Sequence, residues 1–588
     1  MEHSMPCASS RCAGALLALL MTGLLGLLGL TCPAPVHAQA TAPAVRTPTL
    51  VPPPADLAPP RAAIDSTASV PARKPAAREL AKPDDDMRVD VVSYRLDDTA
   101  PQALRDALPS LTARYTGKQR GFEDLVNAAA ELTRYMQRDL GYYLGYAYLP
   151  EQTPEGGVVR LAVLEGRLDR VILNWAAGLP VERDVVESYL ARLEPGSVLK
   201  VRDVERVVFL LNDLRGMNAR FEVRAGSSPG TATLVVSPAP EKAVTGKAEF
   251  DINGSKALGE YRLSGLVQVN SPFGLGDGFA ANALASTTGG LAFALLGYTS
   301  PVGNDGIKLG ASASALKYQL DRTAFPLDLN GQATTANAYA LYPVVRSRNL
   351  NVFTLASLDH KQYEDSNINS RARRSVQSLT VGATGDFRDS TLGGGVNTYD
   401  ASLVTGRVAY QEGSTSSLDD DVTFTKLSYG MTRLQDLVTG RALVYLSLRG
   451  QFAANNLDTT EQFRVGGPEG VRAFATGEGT GDIGAVASLE LRFLPPEDWF
   501  GRIAREVVAS VFVDTGYVQY RYRPRLSTQP NAAKNTGVFS GAGMGMTWVH
   551  GSDYSLRLSV AKPISGTPRS GDEPSKVRVV LQAAVLFN

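Results

Sequence analysis

Cysteine is almost missing from this chain. Of 588 residues only Cys7, Cys12 and Cys32 carry a thiol, and all three fall in one N-terminal apolar segment. The rest has no disulfide framework and no thiol chemistry, which suits a protein that crosses an oxidising periplasm unfolded. Histidine is equally scarce. His3, His37, His360 and His550 are isolated from one another, so the pattern offers no catalytic cluster and no zinc site, and no metal is expected. There is no GxxxxGK[ST] loop for a nucleotide, no nucleophile–base set and no cofactor motif. Net charge is zero, which removes any bulk attraction to nucleic acid. Long apolar runs are absent beyond residue 30, and mean hydropathy is −0.08, too polar for a bundle of membrane helices. One membrane architecture survives these exclusions: a β-barrel, because only alternate residues of its strands face lipid.

What is present is ordered along the chain. Arg11 precedes an apolar stretch from Ala13 to Leu30, followed by Val36-His37-Ala38, so residues 1–38 read as an export signal. Residues 39–86 are Ala- and Pro-rich without an apolar period and read as a linker. Residues 87–166 and 167–240 then carry the same order, β-α-α-β-β. In the first unit Val89 to Tyr94 alternates as a strand, Gly121 to Leu140 shows a helical face, and Tyr146–Pro150 and Val158–Leu164 are strands. In the second, Leu168–Leu173, Ala219–Arg224 and Thr231–Val236 are strands, with helices over Val181–Leu193 and Val201–Leu214. This is a tandem repeat of soluble, charged units.

From residue 241 to 588 helical periods vanish. Ala248, Phe250 and Ile252 alternate with Lys247, Glu249 and Asp251, and Ile307, Leu309, Ala311 and Ala313 alternate with polar or small residues. The spacing predicts an all-β transmembrane barrel of about 16 antiparallel strands, wide enough for an aqueous lumen. Open sheet edges would leave unsatisfied backbone groups in lipid, so the sheet must close. Gly393-Gly394-Gly395 and Gly541-Ala542-Gly543 read as strand positions where a wall curves or a loop packs closely. The last segment, Val577 to Phe587, alternates and ends on an aromatic ring.

Several segments resemble the outer-membrane transporters of two-partner secretion, the haemolysin secretion/activation family. The run Gly141-Tyr142, Tyr148-Leu149-Pro150-Glu151-Gln152 and Val163-Leu164-Glu165-Gly166-Arg167 looks like the family's first polypeptide-transport-associated (POTRA) domain. Leu199 to Arg206 with Leu210 to Leu214 is similar to its second. Tyr342 to Arg348 and Gly385 to Ser390 look like family barrel segments. The family's lid-loop motif, Val-Arg-Gly-Tyr, is Val471-Arg472-Ala473-Phe474 here, and its lumen-wall partner, Phe-x-Asp-x-Gly, is intact at Phe512, Asp514 and Gly516. Gly484, Glu490 and Arg492 follow where the family places a Gly and a Glu-Leu-Arg strand. Alanine in place of glycine at 473 resists φ > 0. A plug helix, common in the family, has only a weak counterpart near residues 57–70.

The resemblance implies two periplasmic POTRA domains before an outer-membrane barrel, with a loop folded into the lumen and Arg472 paired to Asp514. It implies a translocator for one large secreted exoprotein, adhesin- or haemolysin-like, and a final strand whose Phe587 serves as the signal for the barrel-assembly machinery. Outer-membrane lipid is the remaining expected partner; a cofactor and nucleic acid are not. An assembly insertase of the same superfamily is the alternative function. A diffusion porin would have no repeats at 87–240, and an outer-membrane enzyme would need a nucleophile–base set.

Overall fold

In the computed structural model, the described residues are 76, 79–83 and, from 87 to 587, all except 324–327, 369, 412–421, 439, 525–534, 552 and 569–575. The expected export signal, most of the linker and the stretch near 57–70 lie outside them.

The first α+β unit contains β1 (Arg88–Val91), β2 (Ser93–Leu96), α1 (Gln102–Thr112), β3 (Gly117–Gly121), α2 (Phe122–Arg138), β4 (Tyr146–Tyr148) and β5 (Val158–Leu164). The single strand expected over 89–94 is split at Val92: β1 pairs with β3, whereas β2 runs parallel to β5, which is antiparallel to β4. Helix α1 contains Pro109, whose pattern conceals it in the sequence; Leu104 and Leu108 bury its inner face all the same. Leu125, Ala129, Leu132 and Met136 of α2 complete the core at helical spacing.

The second unit contains β6 (Arg167–Leu173), α3 (Arg183–Leu190), α4 (Val201–Asn212), β7 (Met217–Ala225) and β8 (Thr231–Pro240). Its sheet order is β6-β8-β7, with β6 parallel and β7 antiparallel to β8, matching the β2-β5-β4 sheet of the first unit. The units are fastened by backbone bonds, Tyr143 N–H to Leu199 O at 2.8 Å and Val201 N–H to Gly141 O at 3.0 Å. Gly166, at φ +76°, lets the chain pass between them, since a Cβ there would lie 2.8 Å from Gly145 N.

The remaining strands, β9 (Val244–Asp251) to β26 (Arg578–Phe587), form a closed barrel of sixteen, every neighbour antiparallel. The short pair β20 (Phe463–Arg464) and β21 (Thr480–Gly481) lies outside the wall, within the connection between β19 (Ala442–Ala453) and β22 (Ile483–Phe493). The barrel shuts through β26 against β9, from Gln582↔Asp251 to Phe587↔Gly246. On β26, Val579, Val585 and Phe587 point outward, as the alternation predicts. On β9 the opposite row turns inward, where Glu249 and Asp251 pair with Lys247 at 2.6 Å and Arg262 at 2.9 Å. Gly393 and Gly394 are not in a strand. They end a tight turn at φ +95° and +107°, and only Gly395 begins a strand, because these two positions need the left-handed region.

The short connections lie on the side of the α+β units, and three of them hold the second unit against the barrel mouth. Asp305 takes ion pairs from Arg206 at 3.0 Å and Arg192 at 2.9 Å and a hydrogen bond from Tyr342 Oη at 2.8 Å. Burial alone would raise the Asp305 carboxyl; the bonds from Arg206 and Tyr342 and the two guanidinium charges leave it below the usual carboxylate range. Arg346 donates to both Asp213 oxygens, at 2.6 and 2.9 Å, while its guanidinium lies over the rings of Phe209 and Phe353. Glu182 N–H donates to Gly274 O at 2.7 Å. The segments Tyr342–Arg348 and Gly385–Ser390 therefore meet at this mouth: Arg346 donates to Asn351, which donates to Asp386.

Candidate lid loop in the barrel lumen

Residues 454–482 join β19 to β22 on the side away from the α+β units, and they turn back into the barrel. The strand β23 (Val507–Gln519) supplies the floor. Its period of two puts Phe512, Asp514 and Gly516 on one lumen-facing row, each with a different task. Asp514 is fully buried and accepts from Arg472 Nε and Nη2, both at 2.9 Å, and from the Arg472 backbone N–H at 3.1 Å. Phe512 presents its ring to the guanidinium, with Cζ 3.2 Å from the ring centroid. Gly516 leaves room: a Cβ there would fall 2.3 Å from Val465 and 3.1 Å from Val471 of the loop. The two motifs, 42 residues apart, thus meet residue against residue.

The arginine holds more than its expected partner. Nη1 donates to Glu490 at 3.0 Å and Nη2 to Ser488 at 3.2 Å, both on the neighbouring β22; Ser488 in turn donates to Asp514 at 2.6 Å. Glu490 also takes Arg492 at 2.9 Å. A planar guanidinium suits this fork of acceptors, which a lysine cannot match.

Ala473 does not adopt φ > 0. The turn closes by Phe474 N–H to Val471 O at 3.0 Å without a left-handed residue, so glycine is not needed there. The alanine methyl instead packs on β24 (Thr536–His550), where Gly541 has no side chain to obstruct it. Phe474 needs no hydroxyl, for its ring meets Phe539 edge-on at 5.1 Å in an apolar cluster with Val465, Val471, Phe512 and Val518. A water-filled lumen is expected to be polar throughout; here the loop brings its own small core.

A second ionic cluster was not foreseen. Glu461, on the descending limb of the loop, is buried between two ammonium groups, Lys361 Nζ on Oε1 at 2.8 Å and Lys426 Nζ on Oε2 at 2.8 Å. Three residues earlier Asp458 pairs with Arg374 at 3.2 Å and accepts from Tyr410 Oη at 3.1 Å. These wall residues come from β15 (Leu350–Ser366), β16 (Arg371–Asp389), β17 (Gly395–Tyr410) and β18 (Thr423–Val438). In sequence the only sign of them was a lysine or arginine where a lumen-facing residue was due, which is ordinary in a polar bore. Phe587, the remaining expected site residue, is exposed on the outer surface, far from this loop in topology and opposite Gly246 in the closing seam.

The fold and loop define the class: an outer-membrane barrel preceded by POTRA domains, with a bore obstructed from within. The chain belongs to the family described as haemolysin secretion/activation protein ShlB/FhaC/HecB, whose profile matches residues 230–547, just over half of it. Residues 91–166 match the ShlB-type POTRA domain. Among similar proteins is the heme/hemopexin transporter protein HuxB of Haemophilus influenzae, 26% identical over 490 residues, covering 81% of this chain and 84% of that one. The outer membrane transporter CdiB of Dickeya dadantii is 26% identical over 468 residues, covering 78% and 79%. In fold it resembles CdiB from Escherichia coli, with a TM-score of 0.66 at 21% identity over 88% of this chain and 94% of that one. CdiB from Acinetobacter baumannii gives 0.60 at 16% identity over 99% and 100%. The protein is an outer-membrane translocator of two-partner secretion and acts with a secreted exoprotein.

Proposed function

We propose that the exoprotein enters as an unfolded chain along the POTRA sheets and leaves through a bore that the 454–482 loop closes at rest. The observation that carries the closure is the Arg472–Asp514 contact, a bidentate pair whose carboxylate has no exposure at all, inside the lumen. A loop held this way obstructs passage, and its release is local, since the wall strands are paired independently of it. Capture is supported by the edge of β7. Asn212 occupies the edge N–H and C=O of Ala219, whose side chain is buried, by two hydrogen bonds, and the strand continues to Ala225 without a second sheet partner among the described residues. An extended client can add there by main-chain bonds with little demand on sequence. In the same reading, residues 87–166 and 167–240 are the two POTRA domains, 241–588 is the barrel, and Phe587 marks the final strand for the barrel-assembly machinery. The outward rows meet outer-membrane lipid. The chemistry is transport, with client folding outside drawing the chain through.

A disulfide lock tests closure. Cysteines in place of Ala473 and Gly541 face each other, since a Cβ on Gly541 would lie 2.4 Å from that of Ala473. The bond requires about 3.5–4.5 Å between Cβ atoms, so the strands part slightly to form it. No other cysteine occurs beyond residue 32 to compete. Oxidised protein is expected to block secretion and dithiothreitol to restore it. Full secretion by the oxidised form refutes the gate.

A further inference from the structure

On the POTRA side the barrel turns are short, with one exception. Residues 494–506, joining β22 to β23, make a single turn of helix, α5 (Glu497–Phe500), and a 3₁₀ segment, Gly501–Arg505. This connection leaves Trp499, Phe500 and Ile503 at 70%, 58% and 55% exposure, while Ala504 on its other side is buried. Water is a poor surrounding for such a group. The side it faces is fixed by β22. Ser488, Glu490 and Arg492 point into the lumen with Arg472, so Leu489, Leu491 and Phe493 point out, and the Trp499 ring lies 6.3 Å from that of Phe493. Trp499 therefore continues the lipid-facing row past the end of the strand. The connection is pinned in that place. Trp548 Nε1 donates to Glu506 Oε2 at 2.9 Å, Val549 N–H to Glu506 O at 2.9 Å and Leu494 N–H to Arg441 O at 2.8 Å. Trp548 starts a ring series with His550 and Tyr554, 6.2 and 6.4 Å between centroids, along the same rim.

We propose that residues 494–506 form a membrane-lying wedge, with Trp499, Phe500 and Ile503 seated at the acyl–headgroup boundary of the periplasmic leaflet. Phospholipid is the occupant because the patch is continuous with the outward rows of β22 and β24, which lipid already covers. Indole and phenyl rings favour that boundary, and Arg502 and Arg505 flank them at headgroup level. The wedge fastens the periplasmic ends of the two strands whose lumen faces carry Glu490 and Asp514.

The test uses the full-length protein in phosphatidylcholine vesicles whose acyl chains are brominated close to the glycerol. Emission of Trp499 is obtained as the difference between the native protein and Trp499→Phe, whose barrel is checked by heat-modifiable migration in detergent gels. The wedge predicts that this component is blue-shifted, quenched several-fold by the brominated lipid and protected from aqueous iodide. In Phe500→Ser/Ile503→Ser, which keeps Trp499, iodide access is expected to rise several-fold. Any result without bromine quenching of the Trp499 component, or with iodide quenching in the native protein, overturns the proposal.

Discussion

The two limbs of the lumen loop are held by opposite chemistry. At the tip the loop supplies a cation, Arg472, to two carboxylates of the wall, with an aromatic face beneath it and an apolar cluster around it. On the descending limb the loop supplies an anion, Glu461, to two lysines, with Arg374 and Asp458 beside it and a smaller apolar cluster of Leu457 with Val376, Val408, Phe424 and Ala453. A guanidinium reads direction and register, because its fork fits a carboxylate in one plane. An ammonium is a point charge and tolerates rotation. The charge contact at the tip is thus directional, and the one at Glu461 is less so. Under the proposed gating this division gives electrostatic capture near the outer end, then directional seating at the tip.

The comparison can be broken most severely at the tip. Arg472→Ala leaves Asp514 buried without its cation, a loss of about 3–5 kcal/mol for a buried pair. Single-channel recordings should show the bore open far more often, and rest-state conductance equal to that of the native protein would remove the ion pair from the closure. Glu461→Ala comes next. It leaves two buried ammonium groups facing each other, at a cost of about 2–4 kcal/mol. Partial conductance steps are expected, with the tip still seated, so the disulfide between positions 473 and 541 should form as readily as before. If that crosslink forms poorly, the limbs are one unit and the contrast fails.

Arg472→Lys sharpens the geometric half of the argument. Charge is kept and the fork is lost, which should cost about 1–2 kcal/mol. Brief openings are expected, well short of those in Arg472→Ala, and identical behaviour of the two variants would show that the fork contributes nothing. The smallest effect concerns a third ionic site, at the barrel mouth. Asp305 titrates below its ordinary value of 3.8 when the second POTRA domain is docked, so its contribution is fully present above that pH and is lost as pH falls through the lowered value. Proteolysis between residues 240 and 244 should therefore be constant from neutrality to about pH 4 and rise only below it, modestly, because Asp305 and Arg192 are each about a third exposed. A rise already at pH 6 would assign docking to some other group.

Much of this architecture was legible in the chain. Strand alternation gave the closed barrel of sixteen because lipid outside and water inside impose a period of two on every strand. The repeat order gave two α+β units, and the resemblance of 471–474 and 512–516 to a family's motifs implied the contact at the tip. What was missed has physical reasons as well. Pro109 masked α1 because proline within a helix removes a backbone hydrogen bond, a cost that burial of Leu104 and Leu108 outweighs. No left-handed residue is needed at 473, because the turn closes by Phe474 N–H to Val471 O and Gly541 leaves room for the alanine methyl. Lys361 and Glu461 lie 100 positions apart, and nothing periodic links them.

Periodicity in the sequence determined which barrel residues point outward and that two α+β units precede the barrel, because periodicity is a local property of a chain; that an arginine and an aspartate pair was implied by the resemblance of two short motifs to a known family. Tertiary structure alone decided how many acceptors that arginine would find, that the loop would carry an apolar core into a polar bore, and that a glutamate would be caught between two lysines. Those outcomes depend on the register and closure of the wall, which bring distant strands to one spot that no window of sequence contains.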